Sequence, residues 1–359
     1  MLQMEREELL RKLESVGAGL ARKENVQQST CFAFRNGTVS TFNQEVACRA
    51  VSPFGADFTG ALPAAKLLNQ LRMMPDKELK IEFKPASVNF VGKQKRYKSR
   101  KEAEVEQPVD NVEVPTEWKP LPDEFADAIA TVGACSSESE QDEEWKQLVH
   151  IHNEWVESGT DWQICRWAVQ TPVTEPVLVK SPPLRQAVQL GMIEFADTEA
   201  WLHLRNKSGL IYSIRRYHLG GPYPDITGHF QVEGESVQLP KSLVERTDAA
   251  GDLSAENGDG NYVKIKVGDG RLTMVGSGIS GEYETFVPFP CRRRFEFMID
   301  PKLLKSIVEK HTNCVLSDDR LMVAGGRFTY VACLIRPEES NGKLEQAVNG
   351  SAAQEEEDE

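Results

Sequence analysis

Several short constellations hold residue types able to do chemistry. His150, His152 and Glu154 alternate in the stretch LVHIHNEW. An extended strand puts all three on one face, where imidazole and carboxylate suit a transition metal. No fourth ligand is evident, and a solvent-facing strand gives the same pattern. Gly276-Ser277-Gly278-Ile279-Ser280-Gly281 spells G-x-G-x-x-G. A dinucleotide site needs a helix directly after that loop. Here Glu282–Val287 alternates like a strand, so a glycine-rich hairpin is expected instead. The seven cysteines are odd in number and include no C-x-x-C. That argues against a disulfide framework or zinc ribbon and for a reducing compartment. Cys165 and Cys333 read as small buried apolar groups. No nucleophile elbow and no P-loop is present, and no catalytic, metal or cofactor site is assigned. The basic run Lys93–Lys101 fits either a nucleic-acid patch or a lysine-rich edge strand.

The elements that must carry these residues repeat. Pro63, Pro182 and Pro301 each open a helix pattern, and both gaps are 119 residues. Proline suits a first helical turn. Each helix pattern is followed by two strand patterns. A second helix set obeys nearly the same spacing. The stripe Leu9, Leu10, Leu13, Val16 returns as Phe125, Ala126, Ile129, Val132, and again as Leu243, Val244, Thr247, Ala250. These stripes have helical period and should stop at Gly17, Gly133 and Gly251. Asn36-Gly37 and Asp269-Gly270 mark tight hairpins. The middle copy joins its strands more loosely, through Ser158-Gly159. The chain therefore reads as three copies of one α+β unit, at 1–106, 107–225 and 226–337.

Composition agrees with a globular protein. The 359 residues are 40% hydrophobic and 27% charged. No apolar run is long enough to span a bilayer, and the charged start Met1–Arg11 does not read as a signal peptide. The net charge of −13, taken alone, argues against a nucleic-acid binder. It is unevenly placed: from Glu338 onward the chain carries eight acids and one lysine. That stretch, 338–359, reads as a disordered acidic tail. Ser136–Glu144, with five acids and no base, reads as a solvated loop.

This organisation resembles the bacterial-type DNA sliding clamp, the processivity subunit of the replicative polymerase. Three stretches carry the resemblance. Gly220-Gly221-Pro222-Tyr223-Pro224-Asp225-Ile226 is similar to the family's Gly-x-Tyr-Pro-Asp-Tyr signature. Tyr330–Arg336 is similar to its closing strand, an apolar run ending in arginine. Thr160-Asp161 with Arg166-Trp167-Ala168 resembles its Thr-Asp-Gly-His-Arg-Leu-Ala stretch, with two extra residues and without Gly-His. The divergence fits a version carried by a virus of bacteria.

The resemblance implies an α+β fold of three clamp domains, each with two helices packed on antiparallel sheets. Two chains would close head to tail into a six-domain ring that encircles duplex DNA without reading sequence. The ring would tether the replicative DNA polymerase and be opened by a separate clamp-loader ATPase, in the cytoplasm of a bacterial or phage-infected cell, with no membrane role. The expected DNA-facing bases are Arg11, Lys12, Arg22, Lys23, Lys66, Arg72, Arg185, Lys241, Arg246, Lys302 and Lys305. The middle domain departs, because its first helix carries Asp123, Glu124 and Asp127 and no base. A partner-peptide groove would take Arg166, Trp167, Pro224, His229, Val331, Cys333, Leu334, Ile335 and Arg336, although Gly228 stands where the family often has arginine. Tyr97 and Leu253 are the expected dimer seam. The rival reading is a structural or adaptor oligomer of the same fold that does not encircle DNA.

Overall fold

The computed structural model describes residues 2–113, 115–257 and 262–334. Ile335, Arg336 and the acidic tail lie outside these residues. The chain divides into two compact units. Unit one comprises residues 1–126 and 170–218; unit two comprises 127–169 and 219–359.

Six α-helices occur among the described residues: α1 (Arg6–Ser15), α2 (Ala64–Met73), α3 (Phe125–Val132), α4 (Ser181–Val188), α5 (Val244–Ser254) and α6 (Pro301–Lys310). They sit where the two repeating stripes place them. Pro63 precedes α2, while Pro182 and Pro301 lie in the first turns of α4 and α6. At α6 the Asp300 carboxylate accepts from the Leu303 N–H at 2.9 Å, capping a free donor. Gly17 and Gly133 follow α1 and α3 as expected. Gly251 does not end its helix: α5 runs on to Ser254. A Cβ on Gly251 would lie 3.0 Å from the Pro301 ring. This glycine therefore lets α5 and α6 approach closely.

In unit one the strand Gly60–Pro63 starts an eight-stranded antiparallel sheet. It continues through Cys31–Arg35, Thr38–Phe42, Val46–Val51, Ile211–Arg215, Trp201–Asn206, Met192–Asp197 and Lys119–Pro120. A four-stranded sheet runs Leu2–Glu5, Glu78–Lys84, Ser87–Val91, Arg96–Arg100. Helices α1 and α2 bury Leu9, Leu13, Leu67 and Leu71. Asn36 and Gly37 both have positive φ (51° and 74°), the two-residue turn whose twist matches a hairpin.

Unit two repeats this plan. Seven strands hydrogen-bond in the order Leu148–Ile151, Trp155–Gly159, Gln163–Ala168, Phe328–Cys333, Arg320–Gly325, Asn313–Leu316, Glu235–Gln238. A four-stranded sheet runs Gly281–Pro288, Arg271–Gly278, Val263–Gly268, Phe295–Ile299. Asp269 and Gly270 take the same left-handed turn, at φ 53° and 74°. In both units the large sheet crosses an expected repeat boundary, since Val46–Val51 pairs with Ile211–Arg215 and Gln163–Ala168 pairs with Phe328–Cys333.

The G-x-G-x-x-G stretch is the turn of a hairpin between Arg271–Gly278 and Gly281–Pro288. A Cβ on Gly276 would stand 2.0 Å from the Ala250 carbonyl oxygen, and one on Gly278 would stand 2.2 Å from that of Leu253. These glycines let α5 lie directly on the strand. Their chemistry is packing.

Candidate functional site

The site is built on the face of the unit-two sheet where Gln163–Ala168 and Phe328–Cys333 run antiparallel, with Ile164 opposite Val331 and Arg166 opposite Thr329. Successive strand residues point to opposite faces. Ile164 and Arg166 thus share one face, and Trp167 belongs to the other. The chain from Tyr223 to Phe230 crosses the Ile164 face. Ile226 packs on Ile164 and Val331, with Phe230, Val232 and Met322 around them. Beside this apolar floor opens a cleft of about 330 Å³. Its walls include Trp145, Pro224, Ile226, His229, Val331 and Cys333, and its rim carries Asp161, Asp225 and Arg320.

Of the nine expected groove residues, the structure brings Pro224, His229, Val331 and Cys333 into this one cleft. Arg166 stands behind the wall, where its Nη2 donates to Thr227 Oγ1 at 3.0 Å. Trp167 is turned to the opposite face and stacks on Phe328, with ring centres 5.7 Å apart. The pleat separates it from the cleft. Leu334 is half-buried just past the last strand and donates its N–H to Asp319 at 2.8 Å, but does not line the cleft. Ile164, Ile226, Trp145 and Arg320 were missed by sequence reasoning. The two-residue strand period held the signal for Ile164, and the signature stretch itself contains Ile226.

The electrostatics of the rim are mixed. Asp225 accepts from the Thr227 N–H at 2.9 Å, and bonds to the Thr227 hydroxyl and N–H hold its carboxyl below the usual range. Burial pushes the Cys333 thiol up, so it is a neutral wall group rather than a thiolate. Asp161 pairs with the nearly buried Lys146 at 2.6 Å.

The His150 and His152 rings each have a close neighbour. His150 Nδ1 bonds to Glu157 Oε1 at 2.8 Å, and His152 stacks on Trp155 at 3.9 Å between ring centres. Among the described residues no group of three or more His, Cys, Asp or Glu side chains is arranged to hold a metal ion.

The expected DNA-facing bases fall into two sets. Arg11, Arg22, Lys23 and Lys66 are exposed in unit one, as are Lys241 and Lys302 in unit two. Others are engaged by neighbours. Lys12 pairs with Glu8 and Arg72 with Glu14, each at 2.8 Å, and Lys305 pairs with Asp248 at 3.0 Å. Arg246 donates to Thr285 at 2.7 Å, and Arg185 is half-buried on α4.

Two sheet edges carry opposite charge. Arg96–Arg100 is an edge strand of the small unit-one sheet. Its outward side chains Arg96, Lys98 and Arg100 are exposed, while Tyr97 points inward and stacks on Phe90 at 6.1 Å. Gly281–Pro288 is an edge strand of the small unit-two sheet and presents Glu282, Glu284 and Phe286. Phe286 is 57% exposed, and Ile279 in the adjoining turn is 87% exposed. Leu253 lies half-buried on α5.

Solved structures share this architecture. The DNA polymerase III beta chain of Streptococcus pneumoniae TIGR4 superposes with a TM-score of 0.69, covering 93% of this chain and 99% of its own, at 13% identity. The chain has the sliding-clamp fold. A clamp-fold structure of DNA polymerase III subunit beta from Pseudomonas aeruginosa gives 0.65 at 15% identity over the same shares. A sliding clamp from Bartonella birtlesii, bound to griselimycin, gives 0.69 at 14% identity, again covering 93% of this chain and 99% of its own. No protein-family model and no curated protein sequence matches the chain. Among the described residues no helix is long and apolar enough to cross a membrane.

Proposed function

We propose that this chain is a replicative processivity clamp. Three clamp domains, at 1–106, 107–225 and 226–337, build each chain, and two chains close head to tail around duplex DNA. The ring tethers a polymerase through the apolar cleft, is opened by a separate loader ATPase, performs no catalysis itself, and works in the cytoplasm of a bacterial or phage-infected cell. The observation that carries this reading is the clamp fold over 93% of this chain and 99% of its counterpart.

The two charged edges supply the closure. An exposed edge strand offers unpaired backbone groups and pairs readily with another. Antiparallel pairing of Arg96–Arg100 with Gly281–Pro288 of a second copy can set Lys98 opposite Glu284, Arg100 opposite Glu282 and Arg96 opposite the Phe286 ring. Charge pairs and a cation over an aromatic face then lie on one side of a continuous sheet. Tyr97 and Leu253 support the strands from behind.

For DNA, exposed bases serve better than paired ones, because only an uncommitted cation displaces counterions from phosphate. Arg22, Lys23 and Lys66 are therefore the better test, since Arg72 is tied to Glu14. Alanine at all three should lower the log–log salt slope of duplex affinity by up to about 3, without changing sequence preference. Fluorescence anisotropy over a salt series checks this. A sequence-specific footprint, or an unchanged slope, contradicts it. The acids beside Lys12, Arg72 and Lys305 favour the rival adaptor reading, and the same titration separates the two.

A further inference from the structure

The row His150, Glu157, Arg166, Thr329 runs straight across four neighbouring strands on the cleft face. Glu157 is 3% exposed, an uncommon place for a carboxylate. Its oxygens are fully engaged: Oε1 with His150 Nδ1 at 2.8 Å, and Oε2 with Arg166 Nε at 2.7 Å and Nη2 at 2.6 Å. The guanidinium is held in turn between two rings, 4.8 Å from the centres of both Trp155 and Phe230. The same Nη2 also donates to Thr227 Oγ1. Trp155 belongs to the sheet, whereas Thr227 and Phe230 belong to the segment that walls the cleft. Three further hydrogen bonds of that segment are internal: Thr227 N–H to Asp225, His229 N–H to Ile226 and Gln231 N–H to Gly228. Arg166 thus fastens an otherwise self-bonded wall to the sheet.

We propose that Glu157 is the positioning residue of the cleft: its buried carboxylate aims Arg166, and Arg166 holds the Tyr223–Phe230 wall over Ile164 and Val331. The planar fork is needed, because only a guanidinium can grip the carboxylate twice, stack between two rings and still donate to Thr227. A carboxamide at position 157 keeps the shape but loses the charge that orients the fork. The inference rests on the reading of the cleft as a peptide site, and its test is arranged to survive failure of that reading.

The probe is a short synthetic peptide with a leading glutamine and leucine and phenylalanine anchors, titrated by calorimetry into the full chain. Glu157→Gln and Arg166→Met should each weaken binding at least about 10-fold, or about 1.4 kcal/mol. If Glu157 acts through Arg166, the double variant should bind within about 2-fold of the weaker single variant, since residues of one network do not add. Roughly 100-fold additive loss, or wild-type affinity in Glu157→Gln, overturns the proposal. Hydrogen exchange gives a second readout that needs no ligand and no Arg166 variant. In Glu157→Gln the amides of His229 and Gln231 should exchange at least about 10-fold faster, with those of residues 163–168 unchanged. Equal exchange in the wall overturns the proposal. A wild-type chain that ignores the peptide while the wall loosens in Glu157→Gln rejects the peptide reading and leaves the positioning role standing.

Discussion

Lys98→Glu with Arg100→Glu should convert the proposed two-chain ring into single chains. In the proposed register each seam sets Lys98 against Glu284 and Arg100 against Glu282. Opposite charges directly across a strand pair contribute about 0.2–1 kcal/mol, and like charges oppose pairing by a similar amount. Reversal therefore costs about 1 kcal/mol or more per pair. Two pairs at each of two seams raise the dimer dissociation constant at least about 100-fold. The substituted side chains point outward and are exposed, so the fold itself should survive. Adding Glu282→Lys and Glu284→Lys to the same chain should restore the dimer with its charges exchanged. Sedimentation or native mass spectrometry at micromolar concentration reads the result. A dimer unaffected by the reversal would place the seam elsewhere. Failure of the exchanged chain to reassemble would reject this register.

Partner recognition should fail with similar force when the cleft floor is made polar. Ile226 packs on Ile164 and Val331 and is 5% exposed, on a segment outside the sheets. Ile226→Asp puts a charge on that floor. Loss of a central apolar contact typically costs about 2 kcal/mol or more. Affinity for the glutamine-led peptide should therefore fall at least about 30-fold. Trp167→Ala supplies the contrast. Its ring stacks on Phe328 on the other face of the sheet, so the peptide should bind within about 3-fold of wild type while the melting temperature falls. Calorimetry and a thermal melt on both variants check this. Weak binding in Trp167→Ala with full binding in Ile226→Asp would mean that partners dock on the opposite face.

What the sequence made legible follows from which interactions are local. Asn36-Gly37 and Asp269-Gly270 specify hairpins because both turn residues must take positive φ, and both pairs do so. The helix stripes were legible because burying one face imposes a 3.6-residue period. Gly251 was misread as a stop because its purpose, room for Pro301, lies 50 positions along the chain. The cleft was legible in part. Pro224 lies in a recognisable stretch and His229 just after it, and Val331 and Cys333 close the last described strand. Treating Arg166 and Trp167 as one pair ignored the pleat, which sends neighbours to opposite faces. The Glu157–Arg166 contact and the ion pairs of Lys12, Arg72 and Lys305 depend on side-chain placement that spacing alone does not give. The Arg72–Glu14 and Lys305–Asp248 pairs also join residues 58 and 57 positions apart.

Topological retention on DNA tests the central claim most directly. The ring is loaded onto nicked circular duplex with a compatible loader and ATP, then passed through a sizing column at high salt. A closed clamp should stay with the circle at a salt concentration that abolishes free-DNA affinity. It should be lost when one restriction cut lets it slide off the end. The charge-reversed Lys98→Glu/Arg100→Glu chain should be lost from both forms. Equal retention on circular and cut DNA, or none on the circle, would contradict encirclement and favour the adaptor reading.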